Sequence, residues 1–125
     1  MSEPAYLGIH HASVLVADTA RALAFYHDLL GMPVADDRPD LGFPGAWLVI
    51  GDQQIHLLEC PNPDPAKRPP HGGRDRHTAL RVRDLEAIVT RLEAAGWPYT
   101  RSRSGRAALF CRDPDGNTLE MVAGA

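Results

Sequence analysis

The sequence has 125 residues, a formal net charge of -3 and a pI of about 6.0. This length suits one ordinary domain, and the acidic balance offers no general positive field for a phosphate backbone, which argues against a nucleic-acid partner. No apolar run approaches the roughly 20 residues that span a bilayer, and residues 1–4 lack the basic and apolar regions of a signal peptide. We therefore expect a cytoplasmic protein without a membrane partner.

The cysteines are Cys60 and Cys111, which are far apart in the chain and form no C-x-x-C pair. Small secreted domains use a denser set of cysteines as a disulfide framework. We therefore expect two free thiols in a reducing compartment.

An internal repeat organises the chain. The segment HASVLVAD begins at His11 and HTALRVRD begins at His77, and each runs from a histidine to an aspartate seven residues later. Alternating apolar side chains within each segment predict a β-strand. The aspartate that ends it, Asp18 (or its neighbour Thr19) in the first copy and Asp84 in the second, predicts the N-cap of a helix.

Each helical pattern ends at a glycine, and further strands follow it. These strands are predicted at 46–50 and 54–58 in the first copy and at 98–102, 107–111 and 118–122 in the second. The segment 60–76 is rich in proline, glycine and charge, which favours an exposed connection. We expect a single α+β domain with modules at about 8–59 and 77–123 and a linker at about 60–76.

Strand alternation predicts which face carries the polar side chains, because successive residues of a strand point to opposite faces. In four strands the mainly apolar face is the one opposite a chemically active side chain; these side chains are His11, His56, His77 and Glu120. The apolar faces should pack under the helices and leave these four on the other, concave face. His10 should then point away from His11, and we expect His27 and His71 at the surface.

Three imidazoles and one carboxylate in a partly dry cleft are costly without compensation, and they form an ordinary ligand set for Zn, Ni, Fe, Co or Mn. A single histidine at a strand start is more often a surface or hydrogen-bonded residue than a ligand. The repeat that relates all four side chains nevertheless favours metal. We predict one divalent metal ion bound by His11, His77 and Glu120, with His56 as a fourth ligand.

Three arginines are candidates for binding an anionic group of a small-molecule substrate. Arg76 directly precedes His77, Arg106 ends the SRSGR turn at 102–106, and Arg81 shares the face of His77 by alternation. The alternative is that these arginines are solvated or pair with acidic residues. The aromatic residues Trp47, Phe43 and Phe110 are expected in the core more often than in a pocket wall.

Several segments resemble the vicinal oxygen chelate superfamily, which includes glyoxalases and bleomycin-resistance proteins. They are HASVLVAD from His11, AFYHDLLG at 24–31, the second histidine His77, and DPDGNTLE at 113–120. The resemblance extends from His11 to Val122. It implies paired βαβββ modules that form a cupped mixed sheet with the helices outside, and one metal ion in the cup. It further implies chelation of two vicinal oxygens of the substrate, and a homodimer whose sites are often completed across the interface.

The resemblance also assigns ligand positions. His11, His77 and Glu120 match the superfamily's usual two-histidine, one-carboxylate set. His56 stands where members similar to glyoxalase I have a carboxylate that acts as ligand and base, which argues against lactoylglutathione lyase activity. An imidazole there is either a fourth ligand or a general base, so His56 and Glu120 are the candidate catalytic residues.

The resemblance leaves three functions open. The first is a metal-dependent lyase, isomerase or dioxygenase, with iron favouring oxygen chemistry and Ni, Zn, Co or Mn favouring Lewis-acid chemistry. The second is a thiol transferase of the fosfomycin-resistance type, in which the basic loops would hold a phosphonate. The third is a non-catalytic drug-binding protein of the bleomycin-resistance type, and the presence of the ligand set argues against it.

Overall fold

A computed structural model describes residues 4–124. Residues 1–3, which contribute to the signal-peptide argument, lie outside the described residues. The elements are β1 (His11–Val16), α1 (Thr19–Leu23), β2 (Gly45–Ile50), β3 (Gln53–Glu59), β4 (His77–Val82), α2 (Leu85–Ala94), β5 (Tyr99–Arg101), β6 (Ala108–Arg112) and β7 (Thr118–Ala123). A π-helical segment, Ala24–Leu29, continues α1, and a 3-10 turn covers Gly72–Arg74.

The strands form two mixed sheets with the orders β1-β3-β2 and β4-β7-β6-β5. In each sheet the strand before the helix is parallel to the last strand of its module, and the other pairs are antiparallel. The first sheet has three strands, and Val34 adds a single bridge to Leu48 of β2. The predicted α+β class with two similar modules is confirmed.

The predicted helix caps are present in both modules. The Asp18 carboxylate accepts a hydrogen bond from the backbone N–H of Arg21, and the Asp84 carboxylate accepts one from that of Ala87. The first helix differs from the regular helix that we expected, because it widens into a π-helical turn. An extra residue per turn lets the adjacent Phe25 and Tyr26 both face the core, where they are 2% and 0% exposed.

One hydrophobic core spans both modules. The strand residues that alternate with the candidate ligands lie in it, as predicted, and examples are Ile55, Leu57, Leu119 and Met121. A core shared in this way holds the two sheets together, and in the described part of the chain no strand of one sheet pairs with a strand of the other.

The linker is more ordered than its composition suggests. Gly72 is buried, and a Cβ atom built there would lie 2.4 Å from Thr118 Cγ2, so a larger residue would have to displace the buried Thr118 side chain. The Asp75 carboxylate accepts hydrogen bonds from Arg68 at 2.8 Å and Arg112 at 2.7 Å. The hydrogen bond from Arg112, followed by that from Arg68, lowers the pKa of Asp75 despite partial burial. The expectation of a simple exposed connection is wrong for 72–75, because this part packs against the second sheet.

Both cysteines are free thiols, as predicted, and burial raises the pKa of Cys111 to about 12. Within residues 4–124, no helix has the length and apolar character needed to cross a membrane.

A buried carboxylate in the turn between β6 and β7 connects the modules. Asp113 is 3% exposed, and its Oδ1 accepts hydrogen bonds from the backbone N–H groups of Asp115 and Asn117. Its Oδ2 accepts from the Tyr26 hydroxyl and the Asn117 side chain, both at 2.8 Å. The Asn117 amide also donates to the Leu15 carbonyl at 2.8 Å. Burial raises the pKa of Asp113, and these hydrogen bonds oppose that shift.

The variant Tyr26→Phe should lower the free energy of unfolding by about 1–3 kcal/mol, because a buried carboxylate loses one donor. The matched control is Tyr99→Phe, which removes a hydroxyl that donates to exposed Glu93 at 2.7 Å. We expect the control to change stability by less than about 0.5 kcal/mol. Urea denaturation measures both, and equal losses in the two variants would contradict a linking role for Tyr26.

Candidate metal centre

The candidate ligands occupy equivalent positions in the two modules. His11 on β1 pairs in register with Gln54 of β3, and His56 lies two residues farther along β3. His77 on β4 pairs with Thr118 of β7, and Glu120 lies two residues farther along β7. In each module the second donor thus lies two residues beyond the register partner of the histidine. We call these pairs the first half-site and the second half-site.

In the first half-site the aromatic rings form a stack. The rings of His11 and His56 are 4.0 Å apart between centroids, and those of His56 and Trp47 are 4.3 Å apart. His56 Nε2 lies 2.8 Å from the amide oxygen of Gln54, which can only accept a hydrogen bond. With the Gln54 amide in this orientation, a neutral His56 carries its proton on Nε2 and presents the lone pair of Nδ1.

Burial, then the neighbouring His11, His10 and Arg38, lower the pKa of His56. His56 is 8% exposed, so its imidazole is buried in the neutral form that binds metals or accepts protons.

His10 does not lie where we expected it. Its Nδ1 is 2.9 Å from Nδ1 of His11, whereas alternation placed its side chain on the opposite face. The prediction is wrong because β1 begins at His11, and the alternating pattern does not extend to the residue before it. His10 can orient the His11 ring through this contact.

The second half-site joins an imidazole to a buried carboxylate. His77 Nε2 lies 3.1 Å from Glu120 Oε1, and the Glu120 side chain is 4% exposed. His77 Nδ1 lies 2.8 Å from the backbone carbonyl of Asp75, which can only accept. A neutral His77 therefore turns the lone pair of Nε2 toward Glu120. Histidines that bind metals commonly donate their other N–H to a carbonyl in this way.

Of the three predicted anion-binding arginines, one lies at the site. Arg106 Nη2 donates to Glu120 Oε2 at 2.7 Å. Arg76 instead pairs with Asp64, and its side chain is 71% exposed. Arg81 is exposed, and its aliphatic stem lies against Gly124. Pairing with an acidic residue, one alternative considered for the arginines, therefore holds for Arg76 and also for Arg106, whose acidic partner is the candidate ligand Glu120.

Aromatic side chains line both half-sites, which we did not predict. Trp47 is the register partner of His56, and Phe110 is the register partner of Glu120. The Phe110 ring meets the His77 ring edge-on at 5.2 Å. The sequence did contain a sign of this position for Trp47. Its neighbours Ala46 and Leu48 are apolar and buried, so strand alternation places Trp47 on the opposite face.

Two further expectations concern residues near these rings. Phe43 lies 5.3 Å from the guanidinium of Arg38 rather than in either half-site. His71, which we expected at the surface, is half-buried against Phe110, and its Nδ1 lies 2.7 Å from Thr100 Oγ1.

A single chain brings the four predicted ligands together as two pairs. Within residues 4–124, no group of three or more His, Cys, Asp or Glu side chains is arranged to hold a metal ion. The predicted convergence on one centre is therefore not found inside one chain. The half-sites belong to two separate sheets, which within residues 4–124 share no strand pairing.

The distance between the two donor atoms of the second half-site fits one ion bound to both of them. Metal–ligand bonds of about 2.1 Å put two adjacent ligand atoms about 3.0–3.4 Å apart, and His77 Nε2 and Glu120 Oε1 are 3.1 Å apart. The Arg106 guanidinium lies against the other oxygen of the same carboxylate, Oε2, and leaves Oε1 beside His77. The spacing of His77 Nε2 and Glu120 Oε1 therefore suits one divalent ion bound by both atoms.

Residues 8–121 match the family described as the Glyoxalase/Bleomycin resistance protein/Dioxygenase superfamily. The chain is 31% identical over 121 residues to Glyoxylase I 4 of Arabidopsis thaliana, covering 90% of this chain and 68% of that protein. It is 31% identical over 122 residues to glutathione transferase FosA of Serratia marcescens, covering 94% and 81%. A solved structure assigned to the glyoxalase family, from Bacillus anthracis, has a TM-score of 0.82 at 26% identity and covers 99% of this chain and 100% of its own.

Protonation of His56 should quench the fluorescence of Trp47, because an imidazolium would then stack on the indole. The midpoint of quenching should lie below the usual histidine value of about 6.5, since burial and neighbouring groups lower the pKa of His56. A fluorescence titration of the metal-free protein from neutral to acidic pH measures it. The His56→Gln variant should lose this transition, and a transition that persists unchanged would contradict the assignment.

Proposed function

Since the chain belongs to the Glyoxalase/Bleomycin resistance protein/Dioxygenase superfamily, we propose that it is a metal-dependent enzyme acting on a small molecule with two vicinal oxygen atoms. The observation that carries this proposal is the matched pair of half-sites, each with a histidine and a second donor at the same register offset. Two such pairs supply the three nitrogens and one oxygen that suit Zn, Ni, Fe, Co or Mn.

The proposed ligands are His11, His77 and Glu120, with His56 at the fourth position. A bound ion would polarise an oxygen of the substrate as a Lewis acid, or support oxygen chemistry if it is iron. Four protein ligands leave two places on a six-coordinate ion, which is the number that a substrate with vicinal oxygens needs.

The environment of His56 supports a role at the reacting centre. Burial and neighbouring groups lower the pKa of His56, which favours the neutral imidazole, and Nε2 contacts Gln54. Nδ1 can then bind the ion or accept a proton from the substrate. A His56→Ala variant separates the two roles. If His56 is a ligand, the variant should bind metal more weakly; if it is a base, the variant should keep the metal and lose turnover.

We further propose that the protein is a homodimer and that each centre combines the first half-site of one chain with the second half-site of another. This accounts for the arrangement of the ligands as two pairs in a single chain. A two-fold axis would produce two identical centres, because it relates the same surfaces of both chains.

A second candidate function is a thiol transferase that adds a thiol to an anionic substrate. Its support is the 31% identity to glutathione transferase FosA and the guanidinium of Arg106 beside Glu120. An arginine suits an anionic group such as a phosphonate. An assay with and without a thiol co-substrate distinguishes the two reactions. The proposed metal ligands argue against a third role, that of a drug-binding protein without catalysis.

The purified protein should hold about one divalent ion per chain, and His77→Ala or Glu120→Ala should abolish that binding with the fold retained. The control is His27→Ala, since His27 is an exposed helix residue. Elemental analysis after growth with Fe, Zn, Ni and Mn measures the content, and circular dichroism checks the fold. Protein without metal under all four conditions would refute the proposal.

A mixing experiment tests the shared centre. One variant removes the first half-site through His11→Ala and His56→Ala, and the other removes the second through His77→Ala and Glu120→Ala. Each alone should bind no metal. When both are co-expressed, about half of the dimers are mixed and carry one intact centre, so metal should return to about a quarter of the wild-type level. Failure to regain metal would show that dimers do not share the site.

A further inference from the structure

The Glu120 carboxylate has two different neighbours, one on each oxygen. Oε1 faces His77 Nε2 at 3.1 Å, and Oε2 accepts a hydrogen bond from Arg106 Nη2 at 2.7 Å. The carboxylate is buried, with the Glu120 side chain 4% exposed, whereas the Arg106 side chain is 59% exposed. The oxygen on the histidine side and the oxygen on the arginine side are therefore not equivalent.

We propose that Arg106 is a positioning residue that restricts Glu120 to a single metal–oxygen bond. By holding Oε2, the guanidinium directs Oε1 alone toward the ion and keeps a second place open for the substrate. This inference rests on the proposed function, because it requires a metal ion beside His77 and Glu120.

The coordination requirement explains why such a restraint matters. Carboxylates bind metal ions through one oxygen or through both. Four protein donors leave two places on a six-coordinate ion, and a Glu120 that used both oxygens would take one of them. A substrate that chelates through vicinal oxygens needs both places, so it would then have to displace a carboxylate oxygen.

The position of Arg106 is supported by its own loop. Its backbone N–H and its Nε donate to the Ser104 hydroxyl at 3.4 and 3.2 Å, and Ser102 Oγ lies 2.8 Å from Ser104 Oγ. The backbone N–H of Ser102 donates to the Ala108 carbonyl at 2.9 Å and closes the loop. The guanidinium thus reaches Glu120 from a turn with hydrogen bonds of its own. Its exposed part remains available to a negatively charged group of the substrate.

The main test replaces Arg106 with methionine, which keeps the length of the side chain but has no N–H group. Arg103→Met is the matched control, because it removes the same charge from the same exposed loop and, within residues 4–124, Arg103 has no ion pair. Arg106→Lys keeps one charged donor and should largely retain the wild-type behaviour. Circular dichroism confirms that all three variants fold.

The first measurement is the relaxation of water protons by the Mn²⁺-loaded protein, which reports how many water molecules the ion binds. We expect it to fall by about half in Arg106→Met, as Glu120 takes the place of one of two waters, and to stay unchanged in Arg103→Met. An unchanged relaxation in Arg106→Met, or an equal fall in the control, would overturn the inference.

The second measurement is the affinity of the Mn²⁺-loaded protein for acetohydroxamate, a small ligand with two vicinal oxygens. We expect it to weaken about tenfold in Arg106→Met, which corresponds to about 1.4 kcal/mol, and not in Arg103→Met. Equal affinities in the wild type and Arg106→Met would overturn the inference while leaving the proposed function intact. Wild-type protein that binds none of Mn²⁺, Zn²⁺ and Co²⁺ would overturn both.

Discussion

One buried carboxylate, Asp113, links the two modules beside the hydrophobic core that they share. Asp113 receives hydrogen bonds from its own turn and from Tyr26 of the other module, and Asn117 extends the connection to the backbone of β1. Burying such a group is costly unless every oxygen is satisfied. The network therefore holds the first helix, β1 and the turn before β7 in one arrangement. Glu120 lies three residues beyond Asn117, so the same network also fixes the start of the strand that carries this candidate ligand.

The sequence predicts the fold well because its signals are local and repeated. Asp18 and Asp84 cap helices in both copies, and alternation identifies the apolar faces of the strands. The π-helical turn was not predictable in this way, since it depends on the packing of Phe25 and Tyr26 against a core formed by distant residues. The burial of Gly72 was likewise not predictable, because it depends on a long-range contact with Thr118 that the composition of the segment does not indicate.

The candidate site was predicted residue by residue but not in its arrangement. Alternation and the repeat identify four chemically active side chains on the faces opposite the mainly apolar ones; they are His11, His56, His77 and Glu120. The register that sets each pair is a property of the assembled sheet, and so is the contact of Arg106 with Glu120. Arg76, which is adjacent to His77 in sequence, pairs elsewhere. Proximity along the chain is thus a poor guide to the surroundings of a ligand on a sheet.

The equal register of the half-sites has a consequence for how such a centre can diversify. His56 and Glu120 occupy equivalent positions, so a single codon change at either one alters the formal charge of the donor set without altering the backbone that carries it. The present set carries one negative charge, and a carboxylate at 56 would make it two. A more electron-poor ion polarises a substrate oxygen more strongly. The charge of the proposed donor set can therefore change at one position while the strand register that holds both half-sites stays the same.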